Sequence, residues 1–175
     1  MRNLIAMQMR PPYLQAYLQH EPRTLDKYQL LWQFYVKDGQ PLRAAEVLAT
    51  LAESSECVLL IAMLSSCFST LSRFSLSLSQ RIEYLTLAVG NAKSHPVSAG
   101  GKHESAIAFL TELEEKLEVS QVQLEIFHTL SPRLQSQPSD SDLREKVELL
   151  ERGLFSITEV CGIILLGVRW FITVT

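Results

Sequence analysis

The residues of this chain that could do chemistry are few and do not gather into a reactive set. Gly100-Gly101-Lys102 comes nearest to a phosphate-binding loop. Such a loop needs G-x-x-x-x-G-K-[ST], because backbone N–H groups cradle the phosphates and the final hydroxyl meets the metal. Here Pro96 takes the first glycine position, His103 takes the hydroxyl position, and no strand-like run precedes them. His95 and His103 share one stretch, but no cysteine or further histidine completes a tetrahedral metal set. His20 stands alone, and His128 falls late in a helical segment, where a positive charge suits the dipole. Glu112, Glu114, Glu115 and Glu118 cluster on one charged helical run, which reads as a solvated face rather than a cleft with two carboxylates in different environments. Serines are plentiful, yet G-x-S-x-G is absent. Cys57, Cys67 and Cys161 form no CxxC pair and lack a local catalytic signature. Trp32, Tyr28 and Tyr35 would be a base-stacking platform only if basic residues were interleaved, and Lys27 and Lys37 are the nearby ones. No catalytic, cofactor-binding or metal-ligating residue is assigned, and the expectation is a protein that is not an enzyme.

Composition points the same way. Basic and acidic residues number 16 and 19, a net charge of −3, so no basic footprint for nucleic acid is expected. An odd cysteine count at irregular spacing is no disulfide framework and fits a reducing compartment. The start lacks a secretory pattern, since Gln8 and Arg10 interrupt its short apolar run. Near the end, Ile163 to Val168 is far shorter than the roughly 20 apolar residues a bilayer span needs, and Arg169 follows. No transmembrane span and no small-molecule substrate are expected.

What must position these side chains is a set of helices. Tyr13-Leu14 and Tyr17-Leu18 repeat at a spacing of four behind Pro11-Pro12, which predicts a short helix stopped before Pro22. Thr24 is a natural N-cap for a helix from Leu25 to about Val36, with the stripe Leu25, Tyr28, Trp32, Tyr35 broadened by Leu31 and Phe34. Asp38-Gly39 ends it, and Pro41 opens a helix to about Ser54 whose inner face is Ala44, Ala45, Leu48, Leu51 and Ala52. Bulky residues on one arm and small ones on the other are typical of helical repeats. Ser77 and Gln80 form a capping box for a helix to about Lys93 that buries Leu78, Ile82, Leu85 and Val89. Glu104 to Leu130 is the longest periodic run, carrying Leu110, Leu113, Leu117, Ser120, Leu124 and Phe127. Pro132 marks its expected end, and Glu112 and Lys116 form an i,i+4 pair on its wet side. After the polar linker SQPSDS, Asp142 with Glu145 caps a final helix bearing Leu143, Val147, Leu150, Leu154 and Ile157, expected to pack antiparallel to its predecessor. The fold class is all-α. Periodicity alone leaves a bundle and a solenoid segment open.

The ordered series Pro12-Tyr13-Leu14, LLWQFY (30–35), AAEVLATLAE (44–53), LSQRIEYL (78–85), AVGNAKS (88–94) and FLTELEEKLEVSQVQLEI (109–126) resembles the C-terminal helical region of the inner-ring scaffold nucleoporins of the 155-kDa class. The likeness covers roughly residues 11–157. It implies antiparallel helix pairs of an α-solenoid fragment, with a long helical hairpin towards the C-terminus. It also implies a structural role in the nuclear pore complex of the nuclear envelope, supporting nucleocytoplasmic transport of protein and RNA. Other nucleoporins of the inner ring are the implied partners, and the family supplies no active site. Family members look like a β-propeller followed by a long solenoid, and only the solenoid part is recognisable here. Two stretches depart from the pattern. Residues 57–74 read as an insertion, with little charge and poor helical period, and 158–175 as a non-family apolar tail. Two other readings stay open on the residues alone: a helical-repeat adaptor of a coat or trafficking complex, and an enzyme with an unfamiliar helical site.

Overall fold

The architecture follows from helix-forming runs separated by strong local stops, and in the computed structural model it is described for residues 12–20, 24–54, 76–95, 103–137 and 139–163. The insertion at 57–74, the Gly100-Gly101-Lys102 stretch and the tail beyond 163 lie outside the described residues. Helix α1 is Pro12–Gln19, α2 is Leu25–Lys37, α3 is Pro41–Glu53, α4 is Leu78–Lys93, α5 is His103–Ser136 and α6 is Ser141–Arg152. A further helical stretch covers 157–163. Among the described residues there is no strand.

The α2–α3 turn has the sharpest sequence logic. Thr24 Oγ1 accepts from the Lys27 amide at 3.4 Å at the start of α2. At its end, Gly39 takes φ 72°, a backbone conformation that a side chain would strain. The Gly39 amide donates to Val36 O (3.2 Å) and the Gln40 amide to Tyr35 O (2.9 Å), the two bonds of a Schellman closure. Pro41 then opens α3 at once, where its missing N–H costs nothing.

Each helix packs on the next, and α4 also meets α6. The most extensive contact joins α3 and α4. There the facing residues are Ala45, Ala49 and Ala52 from α3 and Ala88 and Ala92 from α4, with Leu48, Leu85 and Val89 among them and Leu113 entering from α5. Small side chains let the two backbones approach closely. A second cluster, Leu14, Leu18, Leu31, Tyr35 and Ala44, fixes α1 onto α2 and α3. Trp32 is half-buried and touches both clusters, so it is a core residue rather than a stacking platform.

Several expected boundaries and faces shift. The α2 stripe centres on Leu31 and Tyr35, with Leu25, Tyr28 and Trp32 half-buried. On α4, Ile82 is only half-buried while Arg81 is buried in its place. Pro132 does not end α5, which runs on to Ser136 for 34 residues. A proline removes the amide donor to the carbonyl four residues earlier. Pro132 is exposed, so that carbonyl loses its intrahelical donor near solvent, and the last turn survives with Ser136 Oγ donating to Pro132 O at 3.1 Å. His128 is therefore two turns short of the helix end. Asp140, not Asp142, caps α6, its Oδ1 accepting from the Leu143 amide at 3.0 Å. The helix stops at Arg152 because Gly153 is fully extended (φ −166°, ψ −179°). Leu154 thus lies outside α6, and Ile157, 64% exposed, belongs to the following stretch.

The α3–α4 contact predicts opposite outcomes at two neighbouring positions. Ala88 is fully buried, and Ala88→Leu should destabilise by about 1–3 kcal/mol through overpacking. At Gly90 an added Cβ meets nothing within 4 Å, so Gly90→Ala should stabilise by about 1 kcal/mol. Urea unfolding midpoints of the two variants check both signs.

Candidate interaction surface and the arginine clamp

The polar chemistry of this molecule is spent on helix ends. Ser77 Oγ accepts from the Gln80 amide (3.3 Å) while Gln80 Oε1 accepts from the Ser77 amide (3.0 Å). This reciprocal cap sets the first turn of α4 and aims Arg81 inward. Arg81 is 1% exposed. Its Nε donates to Leu76 O (3.2 Å), Nη1 to Ala52 O (2.7 Å) and Ser54 O (2.6 Å), and Nη2 to Arg152 O (3.3 Å). Ala52 and Ser54 close α3, and Arg152 closes α6. The last carbonyls of a helix have no intrahelical donor and carry the negative end of its dipole. One guanidinium therefore binds two helix ends, and their partial charges offset the cost of burying its own.

Gln123 reinforces the same corner from α5. It is fully buried, its Nε2 donating to Leu150 O and Gly153 O (2.7 Å each) and its Oε1 accepting from the Phe155 amide (3.1 Å). Arg81 and Gln123 together occupy the carbonyls of residues 150, 152 and 153, which fixes where the chain leaves α6. Beyond the corner, Ser156 caps the stretch 157–163. Its amide donates to Glu159 Oε2 at 2.7 Å, and its hydroxyl donates there too, also at 2.7 Å. These bonds, the backbone one foremost, hold the Glu159 carboxyl below its ordinary range.

The sequence gives faint signals for these residues. Leu78, Arg81 and Leu85 step three and four, so Arg81 occupies a core phase that a leucine would normally hold. Gln123 follows Ser120 in the same way, and Ser120, 1% exposed, turns its hydroxyl onto Lys116 O at 2.6 Å. A charged or amide residue in a core phase was the available clue. Ser156-Ile157-Thr158-Glu159 also carries a legible S-x-x-E capping box.

The residues that drew attention for chemistry sit apart. Glu112, Glu115 and Glu118 are exposed on α5, and Glu114 pairs with Lys93 of α4 at 2.7 Å. Lys116 meets Glu112 at 2.7 Å and also reaches Glu53 at the end of α3 at 2.6 Å. Partial burial opposes its charge, but the two carboxylates outweigh that and hold the ammonium above the usual lysine range. Among the described residues no group of three or more His, Cys, Asp or Glu could hold a metal ion. No described helix is long and apolar enough to cross a membrane.

What the described surface offers is helix faces. On α1, Leu14 and Leu18 point into the core while Tyr13 and Tyr17 are 68% and 47% exposed. Gln19 Nε2 donates to the Tyr35 hydroxyl at 2.6 Å, fastening α1 to α2 by its polar edge. Ile107 and Val122 stand exposed on α5, and Leu149 on α6. Sequentially stacked helices, a core of small and leucine side chains, and the buried Arg81 and Gln123 serving helix ends define a helical-repeat scaffold.

The chain belongs to the non-repetitive/WGA-negative nucleoporin C-terminal family, whose model matches residues 2–161. Its place is accordingly the nuclear pore complex at the nuclear envelope. It is similar to the Schizosaccharomyces pombe protein described as probable nucleoporin C890.06, with 33% identity over 113 residues, which is 64% of this chain and 7% of that protein. Its fold is similar to the Chaetomium thermophilum Nup170 CTD in complex with Nup145N, at TM-score 0.64 and 22% identity over 90% of this chain and 27% of that one. The Chaetomium thermophilum Nup170 CTD in a further structure matches at TM-score 0.61 and 22% identity, over 90% of this chain and 25% of that one. The chain thus spans about a quarter of the solved relatives and far less of the curated one. The all-α solenoid architecture agrees with these neighbours.

Removing the clamp should be costly. Arg81→Ala leaves two buried carbonyls, of Leu76 and Ala52, and two part-buried ones without this donor, at about 1–3 kcal/mol for each buried one before relaxation, so a loss of roughly 2–5 kcal/mol is expected in urea unfolding. Arg81→Lys should recover little, because an ammonium lacks the planar fork that reaches separate carbonyls. Lys116→Met, at an exposed pair, should cost under about 1 kcal/mol. The Glu159 cap titrates with a definite sign: its folded value lies below the ordinary 4.5, so the cap is intact above that pH and is lost as pH falls through the folded value. An NMR titration of the Ser156 amide checks this, and Ser156→Ala should move the Glu159 value part of the way back up.

Proposed function

We propose that this chain is a segment of the structural scaffold of the nuclear pore complex, supporting nucleocytoplasmic transport through protein contacts on its helix faces. The family match over residues 2–161 is the observation that carries this reading. The segment works by holding neighbours in place rather than by catalysis, in keeping with a buried Arg81 and Gln123 that serve helix ends. Its partners are other nucleoporins of the inner ring. The Chaetomium thermophilum relative crystallised with Nup145N supports a nucleoporin ligand for this class of solenoid. Nucleic acid, small molecules and cofactors have no part in the proposed role. The family match tells against an adaptor of a vesicle coat.

The repeat region is proposed to run over 11–157, interrupted at about 57–74 and followed by a non-family tail at 158–175. This division rests on composition and period. Both stretches are proposed to be non-family sequence such as translated intron; a spliced transcript that keeps them in frame, with peptides detected from them, would remove that reading.

The functional reading is tested by tagging the chain in cells. Staining of the nuclear rim and co-purification of inner-ring nucleoporins are expected. Recovery with vesicle-coat subunits, and punctate cytoplasmic staining, would contradict it.

A further inference from the structure

We propose that Ser139, in the turn between α5 and α6, is a phosphorylation site for an acidophilic protein kinase. The inference is independent of the scaffold role. Two positions in the chain have a serine or threonine followed by an acidic residue at both +1 and +3: Thr111, before Glu112 and Glu114, and Ser139, before Asp140 and Asp142. Kinases that choose substrates by charge read such residues with basic pockets and need a stretch of chain that can extend into the cleft.

The structure separates the two. Thr111 lies in the interior of α5, and its Oγ1 donates to Ile107 O at 3.0 Å. Reaching it would mean unwinding a long helix on both sides. Ser139 is exposed in a turn; Asp142 is exposed and pairs with Lys146 at 2.6 Å, while Asp140 is half-buried and caps α6, so a kinase would take both carboxylates from an opened first turn. Asp142 lies in the first turn of α6, the part of a helix that frays most readily. Ser141 also precedes an acid, but Arg144 stands at its +3 position, where a basic pocket would repel it. Ser156 has isoleucine at +1, and its hydroxyl is committed to the Glu159 cap.

The transfer is ordinary phosphoryl chemistry. Ser139 Oγ forms a bond to the γ-phosphorus of ATP, the bridging bond to the β-phosphate breaks, and ADP leaves. The hydroxyl proton passes to the base of the kinase. The product places a dianion just before the positive end of α6. Ser139, Ser141, Arg144, Glu145 and Glu148 line one open depression, so the new phosphate would lie near a guanidinium and two carboxylates.

Incubating the full chain with ATP and a purified acidophilic serine kinase, followed by peptide mass spectrometry, decides the matter. One phosphate on Ser139 is expected, with incorporation falling at least about tenfold in Ser139→Ala and in Asp140→Asn but not in Ser141→Ala. Asn preserves the helix cap while removing the charge, and helical circular dichroism confirms that each variant is folded. Absence of incorporation, phosphate on Thr111 or elsewhere instead, or full incorporation in Ser139→Ala or in Asp140→Asn would overturn the proposal.

Discussion

A buried guanidinium shared among helix ends is the constraint on which the rest of this structure depends. Two helices that finish side by side bring their unpaired carbonyls, and the negative ends of their dipoles, into one apolar place. Without donors that junction would open to water. Arg81 supplies donors in a planar fork, joining the ends of α3 and α6 to the start of α4. Gln123 does the same from α5. Four helices therefore meet at one polar joint whose geometry is set by hydrogen-bond direction, whereas apolar contacts alone would allow sliding.

Helix existence was legible because local signals agreed with the apolar period. Thr24, Gly39, Pro41 and Ser77 each mark a boundary by a mechanism acting within a few residues, and α3 and α4 begin where these residues put them. The C-terminal third was read less well. Pro132 is a strong local stop, but at an exposed last turn its cost is one lost hydrogen bond, and tertiary packing of α5 outweighs it. Asp140 and Asp142 both suit an N-cap, and only the path of the chain chooses between them. The leucine stripe of α6 continues in phase through Leu154 and Ile157, so periodicity carried the helix past Gly153, where an extended glycine breaks it. The polar joint was the least visible part. Arg81 and Gln123 read as surface residues by type, and their partners are backbone carbonyls up to 71 positions away. No pattern of side chains records such a partner.

In a scaffold of stacked helices the charged and aromatic side chains serve packing and helix-to-helix links. Lys116 of α5 pairs with Glu53 of α3, and Glu114 of α5 with Lys93 of α4, adding modest, salt-sensitive links between neighbours. The aromatic residues divide by position. Trp32 and Tyr35 join core clusters, while Tyr13 and Tyr17 face outward from α1.

Native-state amide hydrogen exchange, comparing the wild-type chain with Arg81→Met, tests the joint most directly. If one guanidinium ties the ends of α3 and α6 to the start of α4, protection should fall at once around residues 51–54, 78–82 and 150–155, with α1 and α2 largely unaffected. Loss of protection confined to the first turn of α4, with the ends of α3 and α6 as slow to exchange as before, would contradict it.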